Sequence, residues 1–466
     1  MQQRSGKNPQ WSHAPQIESK EHRSAAAMGT CYWKDLNVTA LASGVILDAS
    51  AANPITFRSH PLIPDTYQPA PSLVQWEHTV QERSAPNSQG LRSGAAPVLH
   101  TSCLHDYLFI FAFSVDVLKS IEEVILDIVL QLSQGKAPAL SFHKRTQWSN
   151  IRFDDTVGLH MAPDCTVSTV RSDCCTSVVR FSLILKVLSM IYKLVQSNTY
   201  ATKRDIYYND TQLFGSQRSL DLIIIDISCM LKVPRRSLHV LATSKGLIAG
   251  DLCFTEEDGT RVNCSSNSTA VLVPSNICGI KNVSSAAQFL LIVEKDATFQ
   301  RLLDDEFCIK LAPCIIITGK GVPDLNTRLM VRKLWDSLHI PIFALVDADP
   351  HGIEIMCIYK YGSVSMSFDA RSLTVPAVMW LGLLPSDMER LNVPKEVLIP
   401  LTKRDLSKLN SLQKRPYISC QSLWKKEMEI MAKCNMKAEL QSLTALAPDY
   451  LTRVYLPNKL QFGGWI

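Results

Sequence analysis

Residues 288–349 constrain the fold more than any other stretch, because strand-like and helix-like periodicities alternate there. Phe289-Leu-Leu-Ile-Val293 is a continuous apolar run, as a strand covered on both faces requires, and Glu294 ends it. A short helical pattern from Ala297 to Leu303 follows, then Ile315-Ile316-Ile317, stopped by Thr318-Gly319-Lys320-Gly321. From Leu325 to Leu338 apolar residues return in threes and fours, the spacing of an amphipathic helix. A third run, Pro341 to Val346, closes on Asp347-Ala348-Asp349. Strands alternating with crossover helices predict an α/β fold on a doubly wound parallel sheet, whose ligands gather beyond the carboxyl ends of the strands. Glu294, Asp347 and Asp349 then converge on one edge. Carboxylates crowded together repel unless a cation joins them, and oxygen donors without His or Cys suit Mg²⁺ or Mn²⁺. The plainer alternative is acids capping strands at a solvated edge. Glu at one strand end with Asp-x-Asp at another favours metal, with Mg²⁺ as the expected cofactor.

This Glu…Asp-x-Asp arrangement resembles the toprim domain shared by topoisomerases and bacterial-type primases. Lys295-Asp296 and Gly319-Lys320-Gly321-Val322-Pro323-Asp324 sharpen the likeness to the A-subunit family of topoisomerase VI and its eukaryotic meiotic relatives, which make recombination-initiating double-strand breaks. The resemblance covers residues 117–466.

A chain of 466 residues has room for two or three domains, and a net charge of +5 is too modest to mark a nucleic-acid binder by itself. Fourteen Cys occur without a Cys-x-x-Cys pair or zinc-like His spacing, so neither disulfides nor structural zinc are expected. The polar N-terminus has no apolar signal core, and the apolar run 107–115 is too short to span a bilayer. The Asn-x-Ser/Thr triplets at Asn37, Asn209, Asn263, Asn267 and Asn282 then have no route to glycosylation.

Residues 1–116, rich in Pro, Ser, Ala, Gln and Asn and without periodicity, read as a divergent, disordered leader. Val117, Leu118, Ile121, Val124, Ile125, Ile128 and Leu132 mark one face of an amphipathic helix within 117–135, able either to pack in cis or to dock in a partner's groove. Residues 136–250 hold helical patterns at Phe181–Gln196, from Thr202 onward and at Ser219–Leu231, then strand candidates at Leu238–Leu241 and Gly246–Gly250. That order describes a winged helix, with Lys203, Arg204, Arg235, Arg236 and Lys245 as its DNA-facing cations. The alternative is an ordinary helical domain with solvated basic residues. Ser- and Asn-rich residues 251–285 read as wing and linker, and 286–466 as the toprim domain with further helices at Leu401–Leu409 and Leu423–Met431.

Thr202 and Asp205 suit a capping box opening the helix that carries Tyr207 and Tyr208. Residues four apart share a helix face, so Arg204 lies beside Tyr208, whereas Tyr207 points about 100° away and packs. A guanidinium there favours the phenolate and grips a phosphate oxygen. Composition alone makes a Tyr-Tyr pair core. Lys203-Arg-Asp-Ile-Tyr-Tyr208, however, resembles the family's nucleophile motif, in which the second aromatic becomes joined to DNA.

The resemblance implies a DNA transesterase, type IIB topoisomerase-like, with Tyr208 and Arg204 catalytic, Glu294, Asp347 and Asp349 on metal, and Arg204, Lys245, Arg235 and Arg236 on DNA. It implies double-stranded DNA as substrate, an active homodimer, a topoisomerase VI B-subunit-like partner, accessory meiotic recombination proteins and a nuclear, chromosomal location, without a membrane. Two other readings stand beside it. One is the catalytic subunit of an ATP-dependent strand-passing topoisomerase, whose ATPase must belong to a partner because Gly319-Lys320-Gly321 lacks the P-loop's upstream Gly and its Ser/Thr. The other is a DNA-bound scaffold that does not cut.

Overall fold

The computed structural model describes residues 101–265, 269–311 and 313–466, with side chains described from Ser114 onward. The leader up to His100, and with it Asn37 and Asn267, lies outside the described residues. In chain order the elements that place the site are α1 (Thr101–Ser133), α2 (Val178–Gln196), α3 (Lys203–Asn209), α4 (Gln217–Leu231), β1 (Leu247–Gly250) and β2 (Val271–Leu272). There follow β3 (Leu290–Val293), α5 (Asp296–Asp304), β4 (Ile315–Thr318), α6 (Leu325–Leu338), β5 (Ile342–Leu345), α7 (Pro350–Tyr361), β6 (Val378–Gly382) and α8 (Lys403–Gln413).

Helix α1 begins at Thr101, so the last residues assigned to the leader belong to it. Its apolar stripe packs in cis: Val117, Ile121 and Ile128 are buried in one core with Ile184, Val187, Leu188 and Ile191 of α2 and Leu220, Ile223, Ile224 and Ile227 of α4. Each such side chain contributes roughly 1.5–3 kcal/mol. Leu132, read as part of the stripe, is exposed with Leu126, Val129 and Leu130. Beneath the bundle the buried Asp226 carboxylate pairs with Arg145 at 3.2 Å and with Arg180.

The second layer is a six-stranded sheet in the order β2-β1-β4-β3-β5-β6. Strands β4, β3, β5 and β6 are parallel, and every residue of β3, β4 and β5 is buried, which is why these segments read as unbroken apolar runs. Strand β1 adds antiparallel to β4, Ile248 opposite Ile317, and β2 adds antiparallel to β1, so the sheet is mixed and not purely parallel as expected.

Two expectations for 246–285 are corrected here. Leu247–Gly250 belongs to this sheet and not to a winged helix, and residues 251–285 are no linker. Cys253–Thr255, Arg261–Asn263 and Lys281–Ser284 form a three-stranded sheet, while Phe254, Val273, Ile277 and Ile280 are buried in one core with Ile248 and Ile317. A Cβ on Gly250 (φ +105°) would sit 2.1 Å from the Cys314 carbonyl oxygen, so glycine is required where the chain leaves the sheet. The candidate strand Leu238–Leu241 opens as a 3₁₀ turn, Arg235–Leu238, leaving Val240–Leu241 to pair in parallel with Ala201–Thr202. Among the described residues no helix is long and apolar enough to cross a membrane.

Candidate active site

Strand β3 lies between β4 and β5, so successive crossovers from β3 to β4 and from β4 to β5 run to opposite sides. The ligand crevice of an open α/β sheet forms at such a reversal. It brings the ends of β3 and β5 side by side: the Glu294 N–H donates to the Leu345 carbonyl at 3.0 Å, and Glu294 Oε2 accepts from the Asp347 N–H at 2.8 Å. Glu294 and Asp347 are both buried. Asp349 caps α7, accepting from the Gly352 N–H at 2.7 Å. Burial, and then the charges of Asp347 and Asp349, push the Glu294 carboxyl up to about 8. Asp347 is raised as well, chiefly by burial, against the pull of Lys295 and the Leu440 N–H.

Three features of this edge were not foreseen from the sequence. Lys295 Nζ lies 2.7 Å from Asp347 Oδ2 and 3.1 Å from Glu439 Oε2. The C-terminal segment bearing Glu439 is strapped across the strand ends, Ala438 bridging Ala348 and the Leu440 N–H donating to Asp347 Oδ1 at 2.9 Å. Lys295 was legible as the neighbour of Glu294, whereas Glu439 carries no local signal. The third feature is Gly352. A Cβ there would lie 2.7 Å from the Asp347 carbonyl oxygen and 2.8 Å from Glu294 Oε2, so only glycine lets α7 begin against the carboxylates.

Three oxygen-only donors, two of them buried and raised above the usual carboxylate range, in a cradle that a single methyl would fill, suit a hard divalent cation. The carboxylates are held by protein donors, and among the described residues no three acidic, His or Cys side chains close into a metal-sized cluster.

The tyrosine helix forms as expected. Thr202 Oγ1 accepts from the Asp205 N–H at 3.2 Å, and Asp205 Oδ2 accepts from the Thr202 N–H at 2.8 Å, a complete capping box. Ile206 is buried and anchors α3, Tyr207 is half-buried against the helical core, and Tyr208 is 69 % exposed. The two rings lie 5.5 Å apart. Arg204 shares the exposed face of α3, and Lys203 is held to Asp221 of α4 at 2.7 Å. No hydrogen bond or ion pair among the described residues joins Tyr208 to Arg204 or to the carboxylates.

Lys245 stands at the sheet and not on the helical bundle. Its N–H donates to Asp324 Oδ2 at 3.2 Å and its Nζ to the Lys320 carbonyl at 3.1 Å, while the neighbouring Gly321 N–H donates to the Glu294 carbonyl at 2.8 Å. It thus belongs to the loop that flanks the acidic edge. Arg235 differs from its reading as an outer, DNA-facing cation, whereas Arg236 stays exposed. Arg235 lines a cavity of about 340 Å³ between Ser228 of α4 and Val322, Pro323 and Arg328 of the sheet layer. Burial lowers the affinity of the Arg235 guanidinium for its proton, and Asp221, Asp324 and Asp369 oppose that shift. Arg235 thus serves the seam between the two layers.

A sheet with Glu at the end of its central strand and Asp-x-Asp at the end of the next defines a toprim enzyme. Comparison with known proteins gives the same answer along the chain. The family model for the toprim domain of the topoisomerase 6 A-subunit/Spo11 proteins matches residues 289–460, and the model for type IIB DNA topoisomerases matches residues 179–240. The chain is 68 % identical to the human meiotic recombination protein SPO11 over 355 residues, 76 % of this chain and 90 % of the relative. It is 66 % identical to the mouse protein of that name over the same shares of both chains, and 35 % identical to the A-type subunit of DNA topoisomerase 6 from Arabidopsis thaliana over 74 % of this chain and 80 % of that one. The chain belongs to the topoisomerase 6 A-subunit/Spo11 family and is a topoisomerase-like, DNA-cleaving enzyme.

Proposed function

We propose that Tyr208 is the nucleophile with which this transesterase makes the double-strand breaks that initiate meiotic recombination, and that Glu294, Asp347 and Asp349 hold the Mg²⁺ that supports the cut. The Tyr208 phenol gives up its proton and its oxygen bonds to a backbone phosphorus. The bond from phosphorus to the 3′ oxygen breaks, that oxygen leaves as a 3′ hydroxyl after taking a proton, and the 5′ phosphate remains on the tyrosine. Arg204, on the same exposed helix face, grips a non-bridging oxygen of that phosphate. Bound at the carboxylates, Mg²⁺ supplies positive charge to the phosphate as charge develops on it. Lys245 steadies the flanking backbone.

The observation that carries this reading is the pairing of buried Glu294 and Asp347 on adjacent strand ends, with Asp349 capping the helix that follows, while Tyr208 stands exposed on a separate layer. DNA binding and dimerisation accompany the family. In finer terms, helices α2 to α4 act as a winged-helix-like DNA module, two protomers cut the two strands, and each site combines the tyrosine of one protomer with the acids of its partner. A B-subunit-like protein docks on the exposed apolar residues of α1, accessory meiotic recombination proteins join it, and the protein works on chromosomes in the nucleus. The test is recovery of short oligonucleotides covalently attached to the protein. They should disappear with Tyr208→Phe although DNA binding persists, and adducts that survive this substitution would refute the assignment.

A further inference from the structure

Lys295 stands where a divalent cation has its business. Its ammonium takes Asp347 Oδ2 at 2.7 Å, while the other oxygen, Oδ1, takes the Leu440 N–H at 2.9 Å. Asp347 therefore has no oxygen without a donor, and a cation reaching this carboxylate must contend with the lysine. Asp347 is almost fully buried, whereas the Lys295 side chain is 31 % exposed and retains freedom to move. Glu439 Oε2 already lies 3.1 Å from the same ammonium, on a side chain 52 % exposed. The strap that carries Glu439 is tied to the strand ends through Ala438 and Leu440, so the backbone beneath this second acceptor is placed by the tertiary fold.

We propose that Lys295 is a built-in competitor of the divalent cation for Asp347, and that Glu439 is the carboxylate that receives its ammonium when the cation takes that place. Lys295 and Glu439 are positioning residues for the site. The pair sets how tightly a cation is held, and keeps Asp347 compensated when the cation is lost, since a buried carboxylate without a partner is costly. The proposal rests on the metal reading of Glu294 and Asp347, and the experiment separates the two.

Binding of Mn²⁺ to the full-length chain is measured by electron paramagnetic resonance of the free ion, without DNA and without reference to cleavage. Asp347→Asn should weaken binding strongly. Lys295→Met should tighten it, roughly three- to tenfold, the size expected of removing one partly exposed cation. Lys320→Met serves as control for net charge, because Lys320 belongs to the adjacent loop and pairs with Asp296 at 3.1 Å. Its effect should be clearly smaller. Glu439→Gln should loosen Mn²⁺ by roughly two- to threefold in the wild-type background and by much less in the Lys295→Met background, because there is no ammonium left to receive. Lys295→Met that leaves affinity unchanged, lowers it, or raises it no more than Lys320→Met would overturn the proposal while leaving the metal site standing. Glu439→Gln that loosens binding equally in both backgrounds would overturn the receiving role. Mn²⁺ binding indifferent to Asp347→Asn would remove the metal reading and this proposal together.

Discussion

Gly352→Ala adds a single methyl where the fold has no room for one. Its Cβ would stand 2.7 Å from the Asp347 carbonyl oxygen and 2.8 Å from Glu294 Oε2. The carboxylate is the end of a side chain and can swing aside. The carbonyl is backbone at the end of β5, so relief requires the start of α7 to move. Alanine is the better helix former, by at most about 1 kcal/mol, and overpacking of a tight site costs about 1–3 kcal/mol. The balance is a net loss of about 1–2 kcal/mol, or roughly 1–3 °C in Tm for a folded unit of this size. The shift reaches Asp349, whose carboxylate accepts the Gly352 N–H at 2.7 Å. Groups that orient metal ligands cost about tenfold or more in affinity when disturbed, so Mn²⁺ binding should weaken by that order. Thermal unfolding and Mn²⁺ resonance on the same preparation read both effects. A Gly352→Ala protein as stable as wild type, or more so, with unchanged Mn²⁺ affinity would show that α7 does not press on the carboxylates.

Tyr208→Phe should leave stability within about 0.5 kcal/mol, since the ring is 69 % exposed and only its oxygen is lost, while abolishing covalent adducts. Co-expressed with Glu294→Ala, it should restore single-strand nicks if each site draws on two protomers, the adduct residing on the Glu294→Ala chain; silence with heterodimers demonstrated would refute that arrangement. Arg204→Ala should lose cleavage beyond its loss of DNA affinity, whereas Lys245→Ala should mainly weaken binding and lower the salt slope by about one unit; equal losses of binding and cleavage for Arg204→Ala would reduce it to a positioning contact. Asp405 is held down at about 2: burial raises it, and Lys437 at 2.9 Å with the Thr402 N–H and hydroxyl overcome that. A depressed carboxyl stabilises above its unfolded value near 4 and loses that contribution as pH falls through the folded value. Asp405→Asn should therefore cost about 2 kcal/mol at neutral pH and progressively less from about pH 4 to pH 2 in denaturant titrations, and a pH-independent cost would refute the assignment.

What the amino-acid order settled by itself is whatever neighbours in the chain decide. The capping box at Thr202 and Asp205, the 3.6-residue periodicity of Leu325–Leu338 and the buried runs at 290–293, 315–318 and 342–345 each depend on residues within a few positions of one another. The order of those runs also places Glu294 and Asp347 at strand ends, because a right-handed crossover leaves few topologies open. Strand partnership is a different matter. Leu247–Gly250 has the look of a local hairpin strand, yet its hydrogen bonds go to Ile315–Thr318, and nothing in either segment names the other. The pairing is chosen by the burial of both faces of the whole sheet. For the same reason Gly352, Lys295 and Glu439 acquire meaning only in three dimensions: a glycine spared a clash, an ammonium between two carboxylates and an acid brought from the C-terminal strap to the end of β5. Local periodicity encodes which face of an element is apolar, whereas the neighbours of a charge are set by long-range packing, which no short window of sequence contains.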